Sequence, residues 1–318
     1  MNQTKTPDFK DIAAIVHKYL NEELRSAARF PMGLCHFVYD LETSSGQKFV
    51  IRLVSGQNSL QRLHGNMYWY DYLTKLGIPV PEILHYDLEG EFPFVLIERF
   101  PGTDLGNVYS ELTAVQKRSI VREIVSIQER VSSLPEASGF GYALSYDDGR
   151  LKLHPDWADV ILASLDRARN WILDVGVCDL GHVDRVLRCV RRHNAFLKKV
   201  QPRAFLDDTT TKNVIVNNGE LSGIVDVDAI CFGDRLNTVA LTNMALLAGK
   251  EKTDYIGFWC ERLGLDENDH TLLSLYTAVH CVTFMGEVGQ KFNKETADQD
   301  FGKIRHLEYI LGDLLERL

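Results

Sequence analysis

The sequence predicts an α+β fold in which strands are concentrated before residue 100 and helices dominate from residue 104 onward. Three patterns carry that expectation. Residues 33–43 and 48–54 are two strand-like runs flanking a turn at Ser44-Ser45-Gly46. After residue 104, apolar residues recur mostly at helical spacing. Within that helical part, two short β-branched runs, Val214–Val216 and Leu221–Val225, flank Asn217-Asn218-Gly219 and read as a hairpin.

Composition bounds the class. A chain of 318 residues is long enough for two domains or two lobes, each with its own core. Its 45% apolar and 10% aromatic content is that of an ordinary globular protein. The net charge of −9 lies mostly after Phe100, which opposes non-specific nucleic-acid binding and mildly favours a neutral or cationic co-substrate. Six cysteines (35, 178, 189, 231, 260 and 281) form no C-x-x-C pair, so they are expected to be reduced core thiols of a cytoplasmic protein. The start, MNQTKTPDFKDI, lacks the basic-then-apolar pattern of a leader, and no run approaches the roughly 18 apolar residues of a membrane span. A protein without membrane or nucleic-acid partners is expected, and nothing in the sequence signals an oligomeric state.

Taken in order, Phe9, Ile12, Ile15, Val16, Tyr19 and Leu20 predict an opening helix over 8–25. In the strand that follows the turn, Arg52 lies between Ile51 and Leu53, so alternation sends its charge to the opposite face, toward solvent or toward an anion. Residues 57–76 read as a helix, followed by Gly77-Ile78-Pro79-Val80-Pro81, a proline-locked entry into a strand. Glu91 to Phe100 reads as a strand running into Pro101-Gly102-Thr103-Asp104-Leu105. Thr113 and Gln116 form a capping box for a helix with Ile120, Ile124, Ile127 and Val131 inside. A Gly- and Tyr-rich loop is expected over 138–148, and helices over 156–175, 179–200, 236–248, 253–264, 269–285 and 294–317. Trp157 and Trp171 read as buried core or as lining of a pocket. His182 and His193 lack ligand spacing with any Cys or Asp and read as surface residues.

The chemistry concentrates in Phe205 to Asp228. An antiparallel hairpin brings its own ends together, so Asp208, Asn213 and Asp226 can converge on one small volume. Two carboxylates and an amide oxygen make a hard-ligand set that suits magnesium held between protein and phosphates. A solvated hairpin with acidic ends is the plainer alternative.

Spacing and order add a resemblance. Asp208-x-x-x-x-Asn213, the hairpin, and Val225-Asp226-Val227-Asp228 resemble the catalytic and metal loops of the aminoglycoside phosphotransferase family, relatives of choline kinases and distant cousins of protein kinases. Gly77 to Pro81 is similar to that family's Gly-x-Pro-x-Pro signature, and Glu98 to Leu105 to its interlobe hinge. Gly233-Asp234-Arg235 stands in the place of a Gly-Asp-Pro-like turn. The resemblance implies a bilobal protein kinase-like fold. A small antiparallel-sheet, nucleotide-binding lobe would occupy 1–99, and a larger, mostly helical lobe with both loops and an acceptor pocket would occupy 100–318. It implies transfer of the γ-phosphoryl group of ATP, with GTP as an alternative donor, to a hydroxyl of an aminoglycoside-, amine- or sugar-like small molecule. In that scheme Asp208 is the catalytic residue that accepts or orients the hydroxyl proton, and Asn213 and Asp226 hold Mg2+. Arg52 and Gly33 meet the phosphates, and Glu98, Arg99 and Phe100 form the adenine edge through their backbone.

The chain departs from the family pattern at several positions. Leu206 and Asp207 replace a His and a Gly, Thr238 an Asp, His36 an Asn, and Asn66 a Glu that often pairs with the strand cation. An amide makes no such ion pair, so either another group holds Arg52 or the nucleotide orders it. The catalytic loop needs a different brace, and Asp207 with Thr209-Thr210-Thr211 offers side-chain-to-backbone bonds. Asp207 is the alternative proton acceptor if the register slips by one, and Asp228 either reaches a second metal or supports the loop. These departures keep a second class open: a degenerate kinase fold that binds nucleotide or a partner without phosphotransfer.

Overall fold

Helix α1 (Phe9–Leu20) starts in a capping box built by Asp8 and Asp11 and stops at Asn21, whose φ of 54° is left-handed. Asn tolerates that conformation better than most residues, so the helix predicted over 8–25 ends early. The residues beyond it form an unforeseen strand, β1 (Leu24–Arg29), paired with β2 (Phe37–Thr43). This computed structural model describes residues 6–30, 36–54, 57–147, 153–292 and 299–318.

Strand β3 (Lys48–Leu53), helix α2 (Gln57–Lys75), β4 (Ile83–Asp87) and β5 (Phe94–Glu98) complete an antiparallel sheet in the order β1-β2-β3-β5-β4. Both faces are covered, which explains the unbroken apolar run of β5. Phe94 and Leu96 pack with Ile12 and Val16 of α1, whereas Val95 and Ile97 pack with Leu63, Trp69, Tyr70 and Leu73 of α2. Arg52 is 3% exposed, so the solvent-facing alternative is excluded.

The remainder is mainly helical. A short strand β6 (Thr103–Asp104) leads through α3 (Leu105–Val108) and α4 (Ala114–Val131) to β7 (Gly141–Ala143), a strand inside the expected loop. Next come α5 (Trp157–Val175), α6 (Gly181–Arg192) and α7 (Asn194–Leu197); the single helix expected over 179–200 is broken at His193. Strands β8 (Arg203–Phe205), β9 (Val214–Asn217), β10 (Glu220–Ile224) and β11 (Ile230–Gly233) precede α8 (Leu236–Ala248), α9 (Asp254–Leu263), α10 (Glu267–Glu287) and α11 (Phe301–Glu316). The first residues of the helix expected over 294–317 lie outside the described residues. Helix α10 is the central post, packed on α5, α8 and α11.

Trp157 is core: its indole N–H donates to the Tyr276 hydroxyl at 2.9 Å. Trp171 is half-buried, edge-on to Phe292. His182 is buried rather than superficial, bridging Arg185 and Glu308 between α6 and α11. The five described cysteines are free thiols. Among the described residues no helix is long and apolar enough to cross a membrane.

Candidate active site

The site is built on the β9–β10 hairpin. Asn218 and Gly219 both have positive φ (52° and 83°) and connect Asn217 to its partner Glu220, the two-residue loop that Asn-Gly favours. A bulge between Leu221 and Gly223 interrupts the ladder, and Phe100 packs into the space at Gly223. A Cβ on Gly223 would lie 2.2 Å from that ring. Gly102, with φ 101°, lets the hinge approach the carbonyl of Val216 on β9. The hinge and the hairpin are therefore one packed unit.

At the N-terminal end of the hairpin, the Asn213 amide donates to the Asp208 carbonyl at 3.0 Å, and the Asp208 carboxylate accepts from the Thr210 hydroxyl at 2.8 Å. At the other end, the Val225 N–H donates to the Asn213 carbonyl at 2.9 Å, which sets Asp226 beside Asn213. Asp208, Asn213 and Asp226 thus come together as the hairpin geometry requires. Asp226 occupies the left-handed region (φ 64°), a conformation that is strained for a non-glycine residue and recurs at functional sites. The Tyr70 hydroxyl accepts its backbone N–H.

The catalytic loop is braced by neutral groups. Gln128 of α4 accepts from the Leu206 N–H at 2.9 Å and donates to the Leu206 carbonyl at 2.8 Å. The same amide nitrogen reaches the Thr209 hydroxyl, which also bonds Thr238 of α8 at 3.0 Å. Thr209 and Thr210 do brace the loop, but through side-chain-to-side-chain bonds and not the side-chain-to-backbone bonds expected from the sequence. Asp207 instead takes a hydrogen bond from Tyr142 on β7. The Asp207 side chain is thus engaged with β7, while Asn213 meets the backbone carbonyl of Asp208 and Thr210 its carboxylate.

The metal loop is braced by charge. Arg52 Nη2 donates to Asp226 Oδ1 at 2.7 Å and to Asp228 Oδ1 at 2.8 Å, and also contacts His36. Asn66 forms no hydrogen bond with Arg52. Its amide donates to the Val227 carbonyl at 3.0 Å, and Gly65 beside it admits the Asp228 carbonyl, which would stand 2.3 Å from a Cβ there. Helix α2 therefore grips the backbone of the metal loop, and Arg52 grips its carboxylates. This resolves what holds Arg52 in place of a helix glutamate.

The electrostatics follow the geometry. Burial opposes charge on Arg52, but Asp228 and Asp226 outweigh it and raise its pKa. Burial works against Asp226 too, yet the Arg52 guanidinium holds its carboxyl below the usual range. Asp228, deeper and 13% exposed, is pushed up to about 7 by burial despite Arg52. Burial and the Arg52 charge depress His36 to about 3, so it is neutral. Asp208 is open to solvent on one side and ringed by protein on the others; this partial desolvation raises its pKa, with Thr210 opposing. Burial and the neighbouring Asp208 charge bring Asp207 to about 7.

The donor set suits a hard divalent cation. Ligand atoms of His36, Asp226 and Asp228 lie within 4.8 Å of one another, Asp226 is half exposed, and Asn213 spends its nitrogen on Asp208, which leaves its amide oxygen as a ligand. Arg52 already neutralises part of that acidity from beneath.

The remaining expected site residues are more dispersed. The Glu98 N–H donates to the Glu82 carbonyl, so that amide is committed within the sheet edge. The Arg99 side chain bonds Asp40 and the carbonyls of Phe100 and Gly102, which fixes the hinge. Gly33 lies outside the described residues. Gln128 was missed because a glutamine on an amphipathic helix carries no sign of the loop it will meet.

A family model described as the phosphotransferase enzyme family matches residues 7–246. No curated protein matches the chain by sequence. Among solved structures, the aminoglycoside phosphotransferase APH(4)-Ia, as a thermostable apo mutant, is 15% identical with a TM-score of 0.69, covering 96% of this chain and 98% of its own. APH(2'')-IIa, in a ternary complex with streptomycin and ATP, is 12% identical with a TM-score of 0.61, covering 98% and 99%. A candidate fructosamine-3-kinase from Thermobifida fusca YX-ER1 is 16% identical with a TM-score of 0.61, again covering 98% and 99%. With a family match over most of its length and a protein kinase-like fold, the chain belongs to the phosphotransferase enzyme family.

Proposed function

We propose that the protein is a small-molecule kinase that moves the γ-phosphoryl group of ATP to an acceptor hydroxyl. The observation that carries this reading is the convergence of Asp208, Asn213 and Asp226 at the two ends of one hairpin, with Asp208 open to solvent. Residues 1–99 act as the nucleotide lobe and residues 100–318 as the acceptor lobe. Two family neighbours support the reading, one a complex that contains ATP together with an aminoglycoside and one a kinase candidate of a different substrate class.

Each residue has a physical role. Asp208 orients the acceptor hydroxyl and takes its proton as transfer proceeds. Asn213 and Asp226, with Asp228 behind, would hold Mg2+, which when bound neutralises charge on the phosphate oxygens. Arg52 fixes the two metal-loop carboxylates and lies beneath them, so it meets phosphate only where Asp226 releases it. Adenine binds along the hinge at Arg99 and Phe100, since the Glu98 amide is already engaged. On the acceptor side, Glu287 lies in the fields of Lys303, Lys212 and Arg167, with Asp208 near. The acceptor therefore meets charges of both signs, and the acidic bias of the later chain does not extend to this spot.

ADP release from MgATP across a panel of hydroxylated amines, sugars and amino-acid derivatives tests the reading. Acceptor-dependent turnover that vanishes in Asp208→Asn is expected; no turnover with any acceptor, or turnover unchanged by Asp208→Asn, overturns it. The capture of Arg52 by Asp226 and Asp228 favours one other reading, a fold that binds nucleotide without transferring phosphate. Nucleotide binding with no turnover in the same panel selects it.

A further inference from the structure

A cavity of about 450 Å³ opens outside the cleft, bordered by the end of α4, the segment after α7, β8, the start of α8 and the first turns of α10. None of Arg52, Asp208, Asn213 or Asp226 lines it. Its volume falls in the range of small-molecule sites, roughly 300–1,000 Å³.

The charge inside leans positive, three cations facing two carboxylates. Lys199, Arg203 and Arg235 line the cavity, and among the described residues none of them forms an ion pair within 4.0 Å. The two acids that line it are already engaged. Asp234 accepts from the Leu236 N–H at 2.9 Å and from the Tyr276 hydroxyl at 2.9 Å. Asp269 accepts from the Asp266 N–H at 3.1 Å as the return half of the α10 capping box. Phe196 and Leu272 add an apolar wall, with the Lys199 ammonium 5.4 Å from the Phe196 ring centroid. Three cations without a close ion pair outnumber the two hydrogen-bonded carboxylates, and beside a flat apolar surface they match an organic anion with a carboxylate or phosphate group and a planar or aliphatic body.

We propose that this cavity binds a small organic anion and that occupancy is felt at the catalytic loop. Gln128 supplies the connection, because it lines the cavity and its amide forms both hydrogen bonds to the Leu206 backbone, two residues before Asp208. A ligand resting on Gln128 stiffens that clamp.

Phenyl phosphate is a suitable probe, with phenol as the uncharged control. Calorimetric titration of the wild type, of Lys199→Glu/Arg203→Glu and of Asp226→Ala locates the binding. Both cations are exposed, so the double variant is expected to melt like wild type; Arg235→Gln is a milder second variant. The expected result is one-to-one binding of phenyl phosphate and none of phenol. The double variant should bind at least about tenfold more weakly, Asp226→Ala should bind as wild type does, and the Leu206 amide should exchange more slowly in the presence of probe. Absence of binding at millimolar probe, equal binding by the double variant, or loss confined to Asp226→Ala overturns the proposal.

Discussion

Two loops meet at this site, and they are held by different physics. The catalytic loop is fixed by neutral groups: the Gln128 amide on Leu206 and the hydroxyls of Thr209 and Thr238, all buried. The metal loop is fixed by a buried guanidinium between two carboxylates, assisted by an amide from α2. Neutral bonds of good geometry hold one arrangement whatever charge arrives in the cleft. A charged clamp responds to anything that brings charge, and it is costly to desolvate. In the function proposed above, the loop that would position the proton acceptor is rigid by construction, and the loop that would receive a cation and phosphates is held by forces those ligands can replace.

The largest expected effect comes from a change that touches neither clamp. Asp208→Asn should lower phosphotransfer by about 10²–10⁴-fold and leave the melting temperature nearly unchanged, because the amide still accepts from Thr210. Arg52→Met attacks the charged clamp. It strands Asp228 in a largely buried position and should cost about 3 kcal/mol, measured by urea unfolding. Mg2+ should restore part of that loss by binding the freed carboxylates, a gain larger than the one it gives wild type, whereas Gln128→Ala should gain only what wild type gains.

Gln128→Ala attacks the neutral clamp instead. It leaves the buried Leu206 N–H and carbonyl without partners and should cost about 2 kcal/mol, independent of salt and of Mg2+. An Mg2+ gain in Gln128→Ala larger than that of wild type, or one in Arg52→Met no larger than that of wild type, would erase the distinction between the two loops. Asn66→Ala removes a single amide bond to Val227 and should cost about 1 kcal/mol in the same assay.

A separate effect is a pH dependence away from both loops. Burial depresses His280 to about 4, and its ring donates to Asn237. As pH falls below about 6.5, the unfolded chain takes up a proton that the native His280 refuses, so its contribution to stability declines until pH reaches about 4. Melting temperatures recorded between pH 7.5 and pH 4.5 should fall less steeply in His280→Gln than in wild type.

Legibility in the sequence followed the range of the interaction. The hairpin was readable because Asn218-Gly219 and its flanking β-branched residues are local, and Asp208, Asn213 and Asp226 were readable because the hairpin itself joins them. The partners of Arg52 lie 174 and 176 residues away, so only the absence of a helix glutamate hinted that another anion was needed. Strand β1 was hidden because its burial is partial at an edge, and helical spacing ran on past Asn21 with no proline to stop it. His182 was placed on the surface because its partner Glu308 belongs to the last helix, 126 residues on.

Nucleotide binding measured by calorimetry, with and without Mg2+, in wild type and Asp226→Ala, bears most directly on the claim that the charged clamp is a metal–phosphate site. ATP should bind wild type tightly only with Mg2+ present, and Asp226→Ala should lose that metal dependence along with most of the affinity. Equal ATP affinity in both proteins, indifferent to Mg2+, would contradict it.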